Sequence, residues 1–248
     1  MPVFHALGAL AEPYAAGSTL IGTGHDVHPL CRIAASRLQL DLQSRRGWQH
    51  NFGLTAGEPG TVIGKMFGVL VVRTAAGELG YLAAFSGKLG GGNYHDGFVP
   101  PVFDGMAEGG FVNEGMTRLS RINETIRVLK QQGANHAGLE QLRLYRKAHS
   151  TALQNRIFEQ YRFMNKAGKV KSLNALFAAA GYRNPPAGAG ECAAPKLLQY
   201  AYTQGMEPLA LAEFWWGLSP KSATWVHGRF YAPCREKCAP ILAHMLGG

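Results

Sequence analysis

The sequence predicts an α/β protein, a small mixed sheet with helices around it, interrupted by a basic helical-hairpin insert. Three observations carry this. The 248 residues are 46% hydrophobic and 17% charged, which supplies a sizeable core and excludes disordered, collagenous and coiled-coil chains. Two Val- and aromatic-bearing runs, Met66–Val72 and Leu79–Phe85, flank the turn-rich Thr74-Ala75-Ala76-Gly77-Glu78 and read as a β-hairpin. The formal charge of +9 belongs to one stretch: Arg118 to Lys171 holds 12 Lys/Arg against 3 Glu, which leaves 13 basic and 13 acidic residues elsewhere.

Along the chain, Leu30, Ile33, Ala34, Leu38 and Leu42 follow His28-Pro29 at helical spacing and predict an amphipathic helix. The near-continuous apolarity of the hairpin strands predicts that both faces are covered. Gly87 to Gly115, with Pro100-Pro101, reads as a long irregular loop. From Arg118, Leu119, Ile122, Ile126 and Leu129 fall on one helical face. Beyond Gly133, Leu142, Tyr145, Ala152, Ile157, Tyr161 and Met164 form the expected buried stripe of a second, antiparallel helix. Pro/Gly-rich Arg183–Gly190 closes this pair. A helix from Cys192 to about Gln204, a strand Leu209–Trp216, a short aromatic run Arg229–Tyr231 and a last helix near Cys234 complete the order. The chain thus divides into 1–117 (first part of the α/β domain), 118–182 (basic insert) and 183–248 (second part, with the cysteines).

The amino terminus has no basic start before an apolar stretch, and Val62–Val72, interrupted by Lys65, falls short of the roughly 20 residues of a membrane helix. A cytoplasmic protein with no membrane partner is expected. In such a chain four cysteines bind metal, react or simply pack. Cys192 stands where a Gly-rich loop enters a helix, and Cys234 and Cys238, spaced i, i+4, share a helix face. Helix starts favour thiolates and zinc prefers sulfur and nitrogen ligands, so Cys192, Cys234 and Cys238 are the metal candidates and zinc the expected cofactor. Cys31, His227 or water would be fourth.

The order helix, hairpin, Cys-started helix, strand and Pro-Cys…Cys helix resembles the zinc-dependent cytidine-deaminase fold with the basic insert removed. In that chemistry zinc activates a water, and a Glu two positions after the first ligand moves the proton. Here that position is Ala194, and the second half is C-x3-C rather than C-x2-C. Glu191 and Glu213 are the substitute catalytic candidates, with Lys196 or His227 as a substrate contact. This gives the rival reading, a deaminase-like enzyme acting on a nucleobase or related small molecule.

Longer strings run in order through the whole chain: HPL at His28, W-x-HNFGL from Trp48, IGKMFGVLVV from Ile63, LGYLAAFSGKL from Leu79, FVPPVFD from Phe98, then GECAAPKLLQYAY, AEFWWG, HGRFYAPC and CAPIL. Together they resemble the amino-terminal extension of some bacterial RluA-type RNA pseudouridine synthases. The H-R-L-D string that carries that family's catalytic Asp is missing, and the chain stops about where the catalytic domain would begin, so it is not expected to form pseudouridine by itself. The resemblance implies an RNA-modification accessory module that binds tRNA or rRNA and partners a pseudouridine synthase catalytic domain in cis or in trans, against which the apolar last helix would pack. The basic stretch supplies the RNA-contact candidates Arg143, Arg146, Lys147, Arg156, Arg162, Lys166, Lys169 and Lys171, with Tyr145, Tyr161, Trp215, Trp216 and Trp225 as stacking candidates. His50, Lys65, Ser86, His95 and Asp104 form a further set of acid/base types.

Overall fold

The computed structural model describes residues 2–8, 26–44, 49–133, 136–220 and 224–247; Trp48, which opens one of the strings above, lies outside them. Its centre is a five-stranded sheet in the order β1-β3-β2-β6-β7, built from β1 (His5–Ala6), β2 (Lys65–Arg73), β3 (Leu79–Phe85), β6 (Glu207–Trp216) and β7 (Phe230–Tyr231). The hairpin forms as predicted, with Val69 opposite Ala83, and β2 pairs on its other edge with β6, Val69 opposite Ala212. The expected mixed sheet is instead antiparallel at every strand pairing. β3 and β6 do run the same way, but β2 lies between them, so the crossover that joins them never makes them neighbours.

Because side chains alternate along a strand, each strand feeds two cores. Phe67, Val69, Val71, Ala83, Phe85, Ala212 and Phe214 face α1 (Pro29–Ser44), which buries Leu30, Cys31, Ala34, Leu38 and Leu42 against them. Leu70, Val72, Leu82, Ala84 and Leu211 face the other way, onto α4 (Leu173–Ala179), α5 (Ala193–Thr203) and α6 (Arg235–Leu246). The prediction that both faces are covered therefore holds. Gly68 fixes the distance on the second face: a Cβ there would stand 2.9 Å from the Ala193 Cβ. Cys238, Ile241, Leu242 and Met245 of α6 are buried in this chain's own core.

α2 (Phe111–Gln131) and α3 (His136–Gln160) pack against each other, with Gly115 of α2 admitting Leu153 of α3. α2 begins seven residues before the expected start at Arg118, across the 117/118 boundary, so the irregular loop ends earlier. The predicted stripe of α3 is out of register. Leu139, Leu153 and Phe158 are buried, whereas Tyr145 is exposed. Tyr161 and Met164 lie beyond the helix. Arg162–Ser172 is no helix but a small hairpin, β4 (Arg162–Met164) with β5 (Val170–Ser172). Asn165, buried, shapes its turn by accepting the N–H groups of Ala167 and Lys169. Among the described residues no helix is long and apolar enough to cross a membrane.

Candidate metal centre and basic groove

Cys192 caps the start of α5 and Cys234 caps the start of α6, while Cys238 follows one turn into α6. The packing of both helices on one face of the sheet brings the three thiols together, with Sγ separations of 4.0 Å (Cys192–Cys234) and 3.4 Å (Cys234–Cys238). All three sulfurs lie within 4.8 Å of one another. Tetrahedral zinc with Zn–S bonds of about 2.3 Å sets its sulfurs about 3.8 Å apart, so the set fits a single ion of that kind. The positive ends of two helices also favour the thiolate form. Mutual hydrogen bonding among the three thiols draws the Cys234 pKa down and pushes those of Cys192 and Cys238 up.

Two of the expected fourth ligands fall away. Cys31 is buried on the α1 side of the sheet, its thiol pushed up to about 12 by burial, and His227 packs on Trp216 and accepts the Gly217 N–H at Nδ1. Among the described residues no other His, Cys, Asp or Glu joins the three. The cluster instead opens onto a cavity of about 480 Å³, which Glu213, Ser86, Trp215 and Trp225 also line. Glu213 is buried, and its Oε1 accepts the N–H of Ala194 at 3.0 Å. Burial pushes its carboxyl up to about 7, although the Ala194 bond pulls the other way. The strand's alternation is what delivers Glu213 here: Leu211, Glu213 and Trp215 share the α5 face.

Glu191, the other carboxylate candidate, faces a different cavity. It accepts the Tyr161 hydroxyl at 3.2 Å and lines a space of about 180 Å³ together with Lys196. Lys196 is 4% exposed. Its ammonium donates to the Phe85 carbonyl at 2.9 Å and the Gly87 carbonyl at 3.1 Å and lies over the Phe85 ring. Desolvation draws its pKa down to about 8. Tyr161, buried and bonded to Glu191, is therefore not a free stacking group.

The basic candidates divide in three. Arg143, Arg146 and Lys147 line a groove of about 470 Å³ between α2 and α3, with Asn123, Ser150 and Thr151. Arg156 lies over the Phe111 ring, 4.0 Å from its centroid. Arg162, Lys166, Lys169 and Lys171 belong to the β4–β5 hairpin. Arg143 pairs with Glu140 at 3.3 Å on the surface, while Arg146 and Lys147 form no ion pair among the described residues. Arg118 donates to the Tyr145 hydroxyl. Trp216 is core, and Trp215 stacks on Trp225 with centroids 5.7 Å apart.

The chain was compared with protein-family models, with curated proteins and with solved structures. None matches.

Of the remaining acid/base set, only Ser86 reaches the cysteine cavity. His50 is held between the Ile63 carbonyl and the Gly90 N–H, His95 bonds the Leu89 carbonyl, and Asp104 accepts from Asn93 and the Met106 N–H. Those three hold loops in place. Lys65 is half-buried, and burial lowers its pKa.

Proposed function

We propose that the chain is an RNA-binding accessory module for RNA modification, as its resemblance to the RluA-type extension implies, with a structural zinc on Cys192, Cys234 and Cys238. The observation that supports it is the groove between α2 and α3, in which Arg143, Arg146 and Lys147 stand together in the stretch that owns the net charge. A tRNA or rRNA phosphate backbone is the partner that such a groove fits, and each phosphate neutralised there releases counterions. A pseudouridine synthase catalytic domain, in cis or in trans, is the protein partner this reading implies. Fluorescence-anisotropy titration of a tRNA transcript and an rRNA fragment tests the groove. Three contacts predict a loss of affinity of roughly 20- to 40-fold between about 50 and 200 mM salt. Weak binding with a flat salt response removes the reading.

A second reading is favoured by the cavity beside the cysteines. In it the chain is a zinc-dependent, deaminase-like enzyme for a nucleobase or related small molecule. The adjacency of β3, β2 and β6, with a Cys at the start of each of α5 and α6, supports a cytidine-deaminase-like core interrupted by the basic insert 118–182. Zinc bound there would supply Lewis-acid chemistry. Glu213, anchored on the backbone of Ala194, would hold the proton that a carboxylate at position 194 holds in that fold. Metal analysis combined with an assay of ammonia release from cytosine, cytidine and adenine separates the two. Zinc without ammonia favours the structural role, and ammonia release abolished by Glu213→Gln favours the enzyme.

A further inference from the structure

We infer that the smaller cavity, at the joint between the α2–α3 pair and the sheet, is a pocket for a single everted pyrimidine base, with Lys196 and Glu191 as its polar readers. The inference rests on the RNA-binding reading and names what that RNA would present.

Size comes first. At about 180 Å³ the cavity is well below the roughly 300–1,000 Å³ of pockets for drug-sized ligands, so it suits one small ring and not a whole nucleotide. Val102, Val112 and Ile157 make apolar walls, and Phe103 adds an aromatic ring. Into this lining project two ionisable groups of opposite sign. The Lys196 ammonium has three N–H donors, of which the Phe85 and Gly87 carbonyls take two. Glu191 uses Oε1 for the Tyr161 hydroxyl and keeps the rest of its acceptor capacity.

Lys196 and Glu191 line the same cavity without forming an ion pair with each other. Glu191 lies within electrostatic reach of the Lys196 and Lys65 ammonium groups, yet spare donor and acceptor capacity at Lys196 and Glu191 still faces the cavity, and polar capacity left unmet beside apolar walls is costly until something joins it. A free anion would meet Glu191, a free cation would meet Lys196, and an apolar ligand would leave both unanswered. A neutral ring with a carbonyl and an N–H on one edge answers both at once. Uracil and cytosine carry such edges, and everted bases are read through them.

The position of the cavity connects it to RNA. Val112 and Ile157 line it, while Ile126 and Arg143 line the basic groove, and each helix separates its pair by 14 residues. Fourteen residues keep both sites on one face of the helix pair, about 21 Å apart at 1.5 Å per residue. A strand held in the groove therefore runs along the α2–α3 seam to the cavity, where exposed Lys88 stands among the lining residues.

The test is ligand-observed NMR and calorimetry on the full chain with uridine, cytidine, adenosine and inorganic phosphate. Nucleosides carry no phosphate, so the basic groove cannot produce their signal. The expected result is that a pyrimidine nucleoside binds, adenosine and phosphate do not, and Lys196→Met and Glu191→Gln each weaken binding about tenfold or more. Should Lys196→Met fail to fold, Ile157→Trp fills the cavity from its half-buried wall and is expected to abolish binding. No pyrimidine binding by the folded chain, binding unmoved by all three variants, or binding of phosphate alone overturns the pocket. Salt-sensitive RNA binding without nucleoside binding overturns the pocket and leaves the groove standing. Nucleoside binding without RNA binding keeps the pocket and removes the groove.

Discussion

The cysteine end of the sheet and the α2–α3 seam both carry ionisable groups, but they treat water in opposite ways. At the sheet, Glu213 and Lys196 are each 4% exposed and Cys238 is fully buried. Each is held by named partners, and desolvation moves the pKa values of Glu213 and Lys196 far from their ordinary ranges. On the seam, Arg143, Arg146 and Lys147 stand in solvent, and the one ion pair among them is exposed on both sides. Buried groups act singly, because removing one strands its partners. Exposed charges act as a sum, because each contributes little and a neighbour can replace it. On the proposed reading, chemistry and stability fall to the sheet end, and affinity for a polyanion to the seam.

That contrast breaks most visibly at the cysteine triad, the proposed zinc site. Cys238→Ser is expected to remove about one zinc per chain by elemental analysis and to lower Tm by more than about 10 °C. A structural zinc contributes several kcal/mol or more to folding, and each kcal/mol moves a chain of this size about 2–4 °C. Chelation of the wild-type chain should reproduce the fall. Identical melting before and after chelation would reduce the three cysteines to buried thiols.

Lys196 gives the next largest effect. Its pKa falls from 10.5 to about 8 on folding because the ammonium loses its water. Between those values the unfolded chain binds more protons than the folded one, so stability rises as pH climbs from about 8 to 10.5. The full amplitude is about 3 kcal/mol. Urea unfolding at a series of pH values should show this rise in the wild type and its loss in Lys196→Met. Parallel pH profiles for the two proteins would mean that the ammonium is not desolvated, and the contrast with the seam would fail there.

Gly68→Ala tests the spacing that brings the cysteines together. The new methyl would stand 2.9 Å from the Ala193 Cβ and 3.0 Å from Leu197 Cδ1, so α5 must move. A loss of about 1–3 kcal/mol is expected, with weaker zinc retention because Cys192 moves with the helix. Loss of stability without loss of metal affinity would show that the centre tolerates displacement of α5.

How much of this was legible in the sequence differs between the same two regions. α1 and the β2–β3 hairpin were readable because their apolar periods are long and each packs on a broad face. The cysteine triad was readable because helix starts and i, i+4 spacing are local features. The partnership of Glu213 with Ala194 was not, since it depends on which face of β6 meets α5 and hence on the β2–β6 register. Along α3 the buried positions are set by α2 and α4, and few residues are buried, so a stripe inferred from apolarity alone slipped. β4 and β5 are three residues each and carry Arg162 and Lys171, too short and too polar to show alternation.

The smallest expected effect is the one that defines the seam. Among the described residues Arg146 forms no ion pair, and its loss strands no buried partner. Arg146→Gln should therefore leave unfolding free energy within about 0.5 kcal/mol of the wild type. The same substitution should lower the slope of log K against log salt for RNA by about 0.7–0.9, the contribution of one phosphate contact. Arg143→Gln should give a similar slope change with a slightly larger loss of affinity, because Glu140, freed from its 3.3 Å pair, then repels the phosphates. If Arg146→Gln destabilised the fold and left the salt slope alone, the seam would be a structural element like the sheet end, and the division of labour between the two regions would be wrong.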